Sequence, residues 1–177
     1  WKSSKFKNEE QLLQLATDTR STPECRYEAI LSLGDRSGRL RELSKLFDQV
    51  IGFSSSLSTR IIRQFKDLGD AAKIDGAVSE LIAQDTDSLS GIEELAELCN
   101  FLELFDLERR VCEMALNLSD HILEWTEDVS SIPDLARRIH CTHNRQTALK
   151  FLQAGESKNR YADSARSEFK LISIALN

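Results

Sequence analysis

The chain has 177 residues, of which 41% are hydrophobic and 29% charged, and its formal net charge at pH 7 is −6. This balance excludes a disordered segment, and the length is sufficient to bury a core in one domain. No stretch approaches the roughly 18 consecutive apolar residues that a membrane span needs. With two prolines, seven glycines and no alternating apolar run, the sequence predicts an all-α fold.

The first predicted helix covers residues 8–17, and its apolar face comprises Leu12, Leu13 and Ala16. Ser21 and Glu24 have the spacing of a capping box at the start of the second helix, with Pro23 in the first turn. We expect this helix to end at Gly34 and Asp35 to cap the next one. The beginning of the chain therefore predicts three helices joined by short turns.

Two more helix pairs follow in the sequence. Apolar residues from Ile61 to Leu68 predict a helix that ends at Gly69, and a second apolar pattern predicts its partner over residues 74–82. Ser90 and Glu93 form a second capping-box pattern. The helix that they begin runs to Phe105, where Asp106 opens another.

The regular spacing weakens after residue 120. A short extra helix is predicted from His121 to Trp125, and Ser131 with Pro133 begins a longer one. A further helix ends at Gly155, and the last one runs to the C-terminus. Gly155, like Gly34 and Gly69, is expected to have a positive φ at a helix end, because only glycine takes this conformation without strain.

A short phrase recurs at nearly constant spacing. Leu33-Gly34-Asp35 returns 35 positions later as Leu68-Gly69-Asp70, and 36 positions further on as the weaker Leu104-Phe105-Asp106. A period of this length is typical of helical repeat arrays, in which each helix pair buries its apolar face against its neighbours. The sequence therefore predicts an α-α array.

Two units resemble known repeat families. Leu68-Gly69-Asp70, followed by Ile74, Ala77, Val78 and Leu81, resembles bacterial HEAT-like repeats. The run from Asp106 to Ser119 is similar to the second helix of a tetratricopeptide repeat. The resemblance implies a right-handed α-α superhelix (solenoid) of about five helix pairs. It also implies one helical-repeat domain over residues 1–177, expected to be a fragment of a longer multidomain protein, that binds partners without catalysis.

Few residues suggest catalytic or metal chemistry. His140-Cys141-Thr142-His143 is the only close group of metal-type ligands, but a structural zinc site needs four, and the other thiols and His121 are far away in sequence. A Gly-rich phosphate loop, a nucleophile elbow and a zinc-protease motif are absent from the sequence. We therefore expect no enzyme activity, cofactor or metal; the alternative is a small α-helical metal-binding or enzyme domain that uses residues 140–143.

Charge is unevenly distributed along the chain. Residues 75–129 carry 15 Asp and Glu against 2 Lys and Arg, whereas the segments on either side are net basic. We call the following carboxylates the acidic set and expect them to form a partner-binding surface: Glu93, Glu94, Glu97, Glu103, Asp106 and Glu108. Asp106 and Glu108 are expected to cap the turn beside them. Three interpretations stay open: a solvated face, docking against the basic ends of the chain or a second copy, and an external partner with a basic surface.

The same charges weigh against other partners. An acidic middle repels phosphate, and Arg137-Arg138 is interpreted as a solvated helix face rather than as part of a nucleic-acid site. A membrane-surface role is disfavoured for the same reason. The four cysteines are far apart and three lie in apolar helical patterns, so free thiols in a reducing cytoplasm are expected. The predicted partner is a protein or another domain of the same chain.

Overall fold

The computed structural model describes residues 9–52, 55–84, 88–118 and 120–176. Within these ranges 81% of the residues are helical and no strand occurs, which confirms the all-α class. The predicted start of the first helix at Asn8 lies outside the described residues. None of the helices in the described ranges is long and apolar enough to cross a membrane.

Eleven α-helices are present in the described part of the chain, and a single 3-10 turn (Ala162–Ala165) precedes the last of them. In chain order they are α1 (Glu9–Thr17), α2 (Pro23–Leu31), α3 (Arg36–Val50), α4 (Ser55–Asp67), α5 (Ala71–Gln84), α6 (Leu89–Phe101), α7 (Phe105–Leu116), α8 (Asp120–Trp125), α9 (Ser131–Thr142), α10 (Arg145–Lys158) and α11 (Arg166–Leu176). The short helix predicted at residues 121–125 and the helix predicted from Ser131 are both confirmed.

The chain divides into an N-terminal unit that ends at Leu81 and a C-terminal unit that begins at Ile82. In the N-terminal unit α1 packs on α2, α2 on α3, and α3 on α4. Arg60 of α4 also reaches α2, where it pairs with Glu28 at 2.8 Å and lies 4.4 Å from the ring centroid of Tyr27. The apolar residues from Ile61 to Leu68 are buried as predicted, whereas Leu13, predicted on the buried face of α1, is exposed.

Helix α9 is the centre of the C-terminal unit. It contacts α6, α7, α10 and α11, and it buries Ile132, Leu135, Ala136 and Ile139 completely. The short α8 packs on α10 instead. These four apolar residues share one face of α9, and its polar residues occupy the remaining circumference.

Helix caps lie close to the predicted positions. Asp35 caps α3 as expected, because its carboxylate accepts hydrogen bonds from the N–H groups of Ser37 and Gly38. The other two caps were predicted at the wrong residue: Thr22 rather than Ser21 caps α2, and Ser88 rather than Ser90 caps α6. In each case a neighbouring hydroxyl takes the role, since adjacent Ser and Thr residues offer the same acceptor.

Gly69 ends α4 as predicted, with φ of 70°. Its N–H donates to the carbonyl of Lys66 and the N–H of Asp70 donates to the carbonyl of Phe65, both at 2.9 Å. This pair of hydrogen bonds is a Schellman motif, which satisfies the last carbonyls of the helix. The prediction is wrong for Gly34 and Gly155: neither has a positive φ, and Gly155 lies inside α10.

A second Schellman motif ends α6. The N–H of Glu103 donates to the carbonyl of Asn100 at 3.0 Å, and the N–H of Leu104 donates to the carbonyl of Cys99 at 2.9 Å. Glu103 has φ of 63°, the only positive φ outside glycine in the described part of the chain. The structural equivalent of Gly69 is therefore Glu103. The third copy of the repeated turn thus lies at residues 102–104, two residues before the predicted position at 104–106.

Candidate functional site

Carboxylates from α6, α7 and α9 surround an open cleft of about 390 Å³ in the C-terminal unit. We call it the polar cleft; its lining residues are Glu93, Glu97, Asn100, Glu108, Asp134, Arg137, Arg138 and Cys141. On α9 the lining residues lie at spacings of three and four, so that they share one side of the helix. Four carboxylates and two guanidinium groups give the cleft a negative balance.

Glu108 lies at the base of this arrangement. The residue is 3% exposed, and its carboxylate accepts hydrogen bonds from the Asn100 side-chain amide and from Arg138, both at 3.3 Å. A buried carboxylate needs such partners because it has lost its hydration. Arg137 pairs with Asp134 one turn earlier on α9. Both arginines of the cleft are thus engaged with carboxylates of the same unit.

Glu93 is a titratable group of the cleft whose pKa is shifted. Burial raises the pKa of its carboxyl, and the neighbouring carboxylates of Asp134 and Asp128 raise it further, while the hydroxyl of Ser131 acts in the opposite direction. A group with a raised pKa in a negative environment gains a favourable interaction when a cation approaches. The cleft is therefore electrostatically suited to positive groups.

The structure brings together part of the acidic set. Glu93, Glu97 and Glu108 line the polar cleft, whereas Glu94, Glu103 and Asp106 are exposed outside it. The expected capping role of Asp106 and Glu108 is wrong. Leu104 occupies the N-cap position of α7 without a side-chain hydrogen bond, and Glu108 is directed to Asn100 and Arg138 instead.

Sequence reasoning missed the contribution of α9 to this site. Arg138 is not the solvated residue that was predicted, because its side chain is mostly buried against Glu108. The available signal was the spacing of Asp134, Arg137, Arg138 and Cys141. This spacing places all four on one side of the helix, opposite its buried apolar face. The charge count alone could not show it, since α9 lies outside the acidic segment and carries both signs of charge.

Residues 140–143 form the end of α9. His140 and Cys141 are exposed, and His143 Nε2 lies 3.7 Å from Glu113 Oε1. Among the described residues no three His, Cys, Asp or Glu side chains are arranged to hold a metal ion. Burial raises the pKa of Cys99 to about 12 and also raises that of Cys112. Both thiols are therefore protonated at neutral pH, which disfavours them as nucleophiles.

The chain matches no protein-family model and has no significant similarity to a curated protein. The resemblance to HEAT-like and tetratricopeptide repeats thus stays a prediction, and a functional proposal has to rest on the geometry and charge of the chain itself.

Proposed function

We propose that this chain is a non-catalytic helical-repeat protein that binds a protein partner with a basic surface through its acidic set. The contacts within the C-terminal unit support the repeat organisation: α6 packs on its partner α7 and on α9, and α9 packs on its partner α10 and on α11. The Schellman turns at Gly69 and Glu103 recur at one repeat length. We further propose the right-handed α-α superhelix of about five pairs as the architecture.

The observation that carries the proposed function is the excess of carboxylates on α6, α7 and the turn between them. The sequence contains no Lys or Arg between Lys73 and Arg109. Glu94, Glu103 and Asp106 are exposed at this surface, and the polar cleft beside them is negative as well. Such a surface accelerates association with a basic partner and selects against acidic ones, more than it adds raw affinity.

Selection from a displayed library of random peptides tests this function. The wild-type chain is expected to enrich peptides rich in Lys and Arg, and their association rate should fall steeply with salt while the dissociation rate changes little. Glu94→Lys with Glu103→Lys reverses two exposed charges and should abolish the enrichment without unfolding the chain.

Asp48→Lys with Glu156→Lys is the matched control, since both residues are exposed and neither belongs to the acidic set. This control should retain the selected peptides. If the wild-type chain enriches no basic peptides, or if both double variants select them equally, the acidic set is a solvated face and the proposed function is wrong.

A further inference from the structure

Two exposed phenylalanines flank the α6–α7 turn in the chain. Phe101, the last residue of α6, is 45% exposed, and Phe105, the first residue of α7, is 64% exposed. The other phenylalanines whose side chains are described are buried, namely Phe47, Phe65, Phe151 and Phe169. Both exposed rings therefore lie at one turn, where they contribute little to the core.

Carboxylates neighbour these two phenylalanines in sequence. Glu103 lies between them in the turn, Asp106 follows Phe105, and Glu97 lies one helical turn before Phe101. The nearest basic side chain in sequence after the turn is Arg109, which is directed along α7 to Glu113 at 3.5 Å. The turn thus combines exposed aromatic area with negative charge.

Hydrogen bonds hold the backbone of the α6–α7 turn in an unfavourable conformation. The Schellman hydrogen bonds hold it in place, and Glu103 occupies a left-handed conformation that is unfavourable for a residue with a side chain. In the equivalent turn, Gly69 takes the same conformation without that cost. The turn therefore presents an exposed carboxylate on a hydrogen-bonded backbone, between Phe101 and Phe105 in sequence.

We infer that the α6–α7 turn is a docking site for a cationic amphipathic peptide segment of a partner protein. An apolar side chain of the segment packs on the exposed rings of Phe101 and Phe105, and its Lys or Arg side chains pair with Glu103 and Asp106. Charge complementarity selects this occupant, since an acidic or neutral segment would desolvate the carboxylates without compensation. The inference rests on the proposed function and adds the apolar anchor that charge alone does not supply.

Two synthetic helical peptides test the docking site by fluorescence anisotropy. One has Lys on one face and Leu on the other, and the second has Gln at every Leu position. The wild-type chain is expected to bind the Lys/Leu peptide about tenfold more tightly than the Lys/Gln peptide. Phe101→Ser with Phe105→Ser should remove this difference and leave the weaker, salt-dependent binding of both peptides.

Leu171→Ser is the matched control, because Leu171 is 65% exposed on α11, away from the turn in sequence. It should retain the preference for the Lys/Leu peptide. The docking site is wrong if the wild-type chain binds both peptides equally or neither, or if the double Phe variant keeps the preference. Equal, salt-sensitive binding of both peptides would leave the proposed function intact, whereas failure of the basic-peptide selection above would remove both.

Discussion

Gly155 of α10 lies directly against Ile132 of α9. A Cβ atom at Gly155 would overlap Cγ2 of Ile132 and lie 3.1 Å from its Cδ1, so the two helices cross where one has no side chain. We expect Gly155→Ala to destabilise the chain by about 1–3 kcal/mol, because overpacking forces buried side chains out of their rotamers. Urea unfolding followed by circular dichroism measures this loss.

Gly76→Ala is the matched control for Gly155→Ala. Gly76 is also inside a helix, but a Cβ there would meet no atom within 4 Å. The substitution should stabilise the chain by about 0.5–1 kcal/mol, since alanine loses less backbone entropy on folding. Equal effects of the two substitutions would contradict the close helix crossing at Ile132.

Substitutions at Glu103 and Gly69 test the two left-handed turns. Glu103→Gly should stabilise the chain by about 0.5–1 kcal/mol, because it relieves the left-handed strain but adds backbone entropy to the unfolded state. Gly69→Ala should destabilise it by about 1–2 kcal/mol. Glu103→Ala removes the same charge and keeps the strain, so a gain in midpoint as large as that of Glu103→Gly would show that charge, not backbone, is responsible.

The raised pKa of Glu93 predicts a pH dependence of stability. The folded chain holds this proton more tightly than the unfolded chain, so the contribution of Glu93 is greatest at low pH and is lost as the pH rises from 4.5 through the folded pKa. Glu93→Gln should therefore gain stability relative to the wild-type chain over that rise. Denaturation midpoints across the acidic range measure the difference.

Glu94→Gln controls for the loss of one negative charge from the same helix, at an exposed position. A profile that changes identically in the Glu93 and Glu94 variants would show a general charge effect instead of the burial of one carboxyl.

Phe65 and Phe105 provide a comparison of a buried and an exposed ring. Phe65 is 1% exposed and packs edge-on against Phe47 with ring centroids 6.2 Å apart. Phe65→Ala should cost about 3–5 kcal/mol through the lost burial and the cavity. Phe105→Ala should change stability by less than about 0.5 kcal/mol. A loss under about 1 kcal/mol for Phe65→Ala would contradict its place in the core.

Local patterns in the sequence predicted much of the fold. Helical spacing located the buried faces of α4 and α5, and Asp35, which follows Gly34 and precedes an apolar helical pattern, caps α3 as predicted. The caps of α2 and α6 were predicted at Ser21 and Ser90 instead of Thr22 and Ser88, because several hydroxyls within two or three residues can take this role. Such choices are decided by turn geometry, which a residue pattern does not contain.

The positions that sequence reasoning missed depend on tertiary contacts. A glycine at a helix end and a glycine at a helix crossing cannot be distinguished in sequence. The prediction of a helix end at Gly155 is therefore wrong. The left-handed conformation of Glu103 was not predicted, because without a glycine no residue type marks such a turn in the sequence. The acidic set was found by charge, but the burial of Glu108 requires Arg138, which arrives from a helix distant in sequence.

Helix α8 has a consequence for the order of folding. It has six residues, and the carbonyls of Leu123 and of Thr126, the residue after the helix, accept hydrogen bonds from the Asn159 side chain at 2.6 and 3.1 Å. Arg160 stacks on Trp125 at 3.6 Å and pairs with Glu124 at 2.7 Å. A helix this short has no stability of its own. Its amide protons therefore become protected from exchange only once the residues that follow α10 have docked. Protection of α8 thus reports on the folding of a segment more than thirty residues later in the chain.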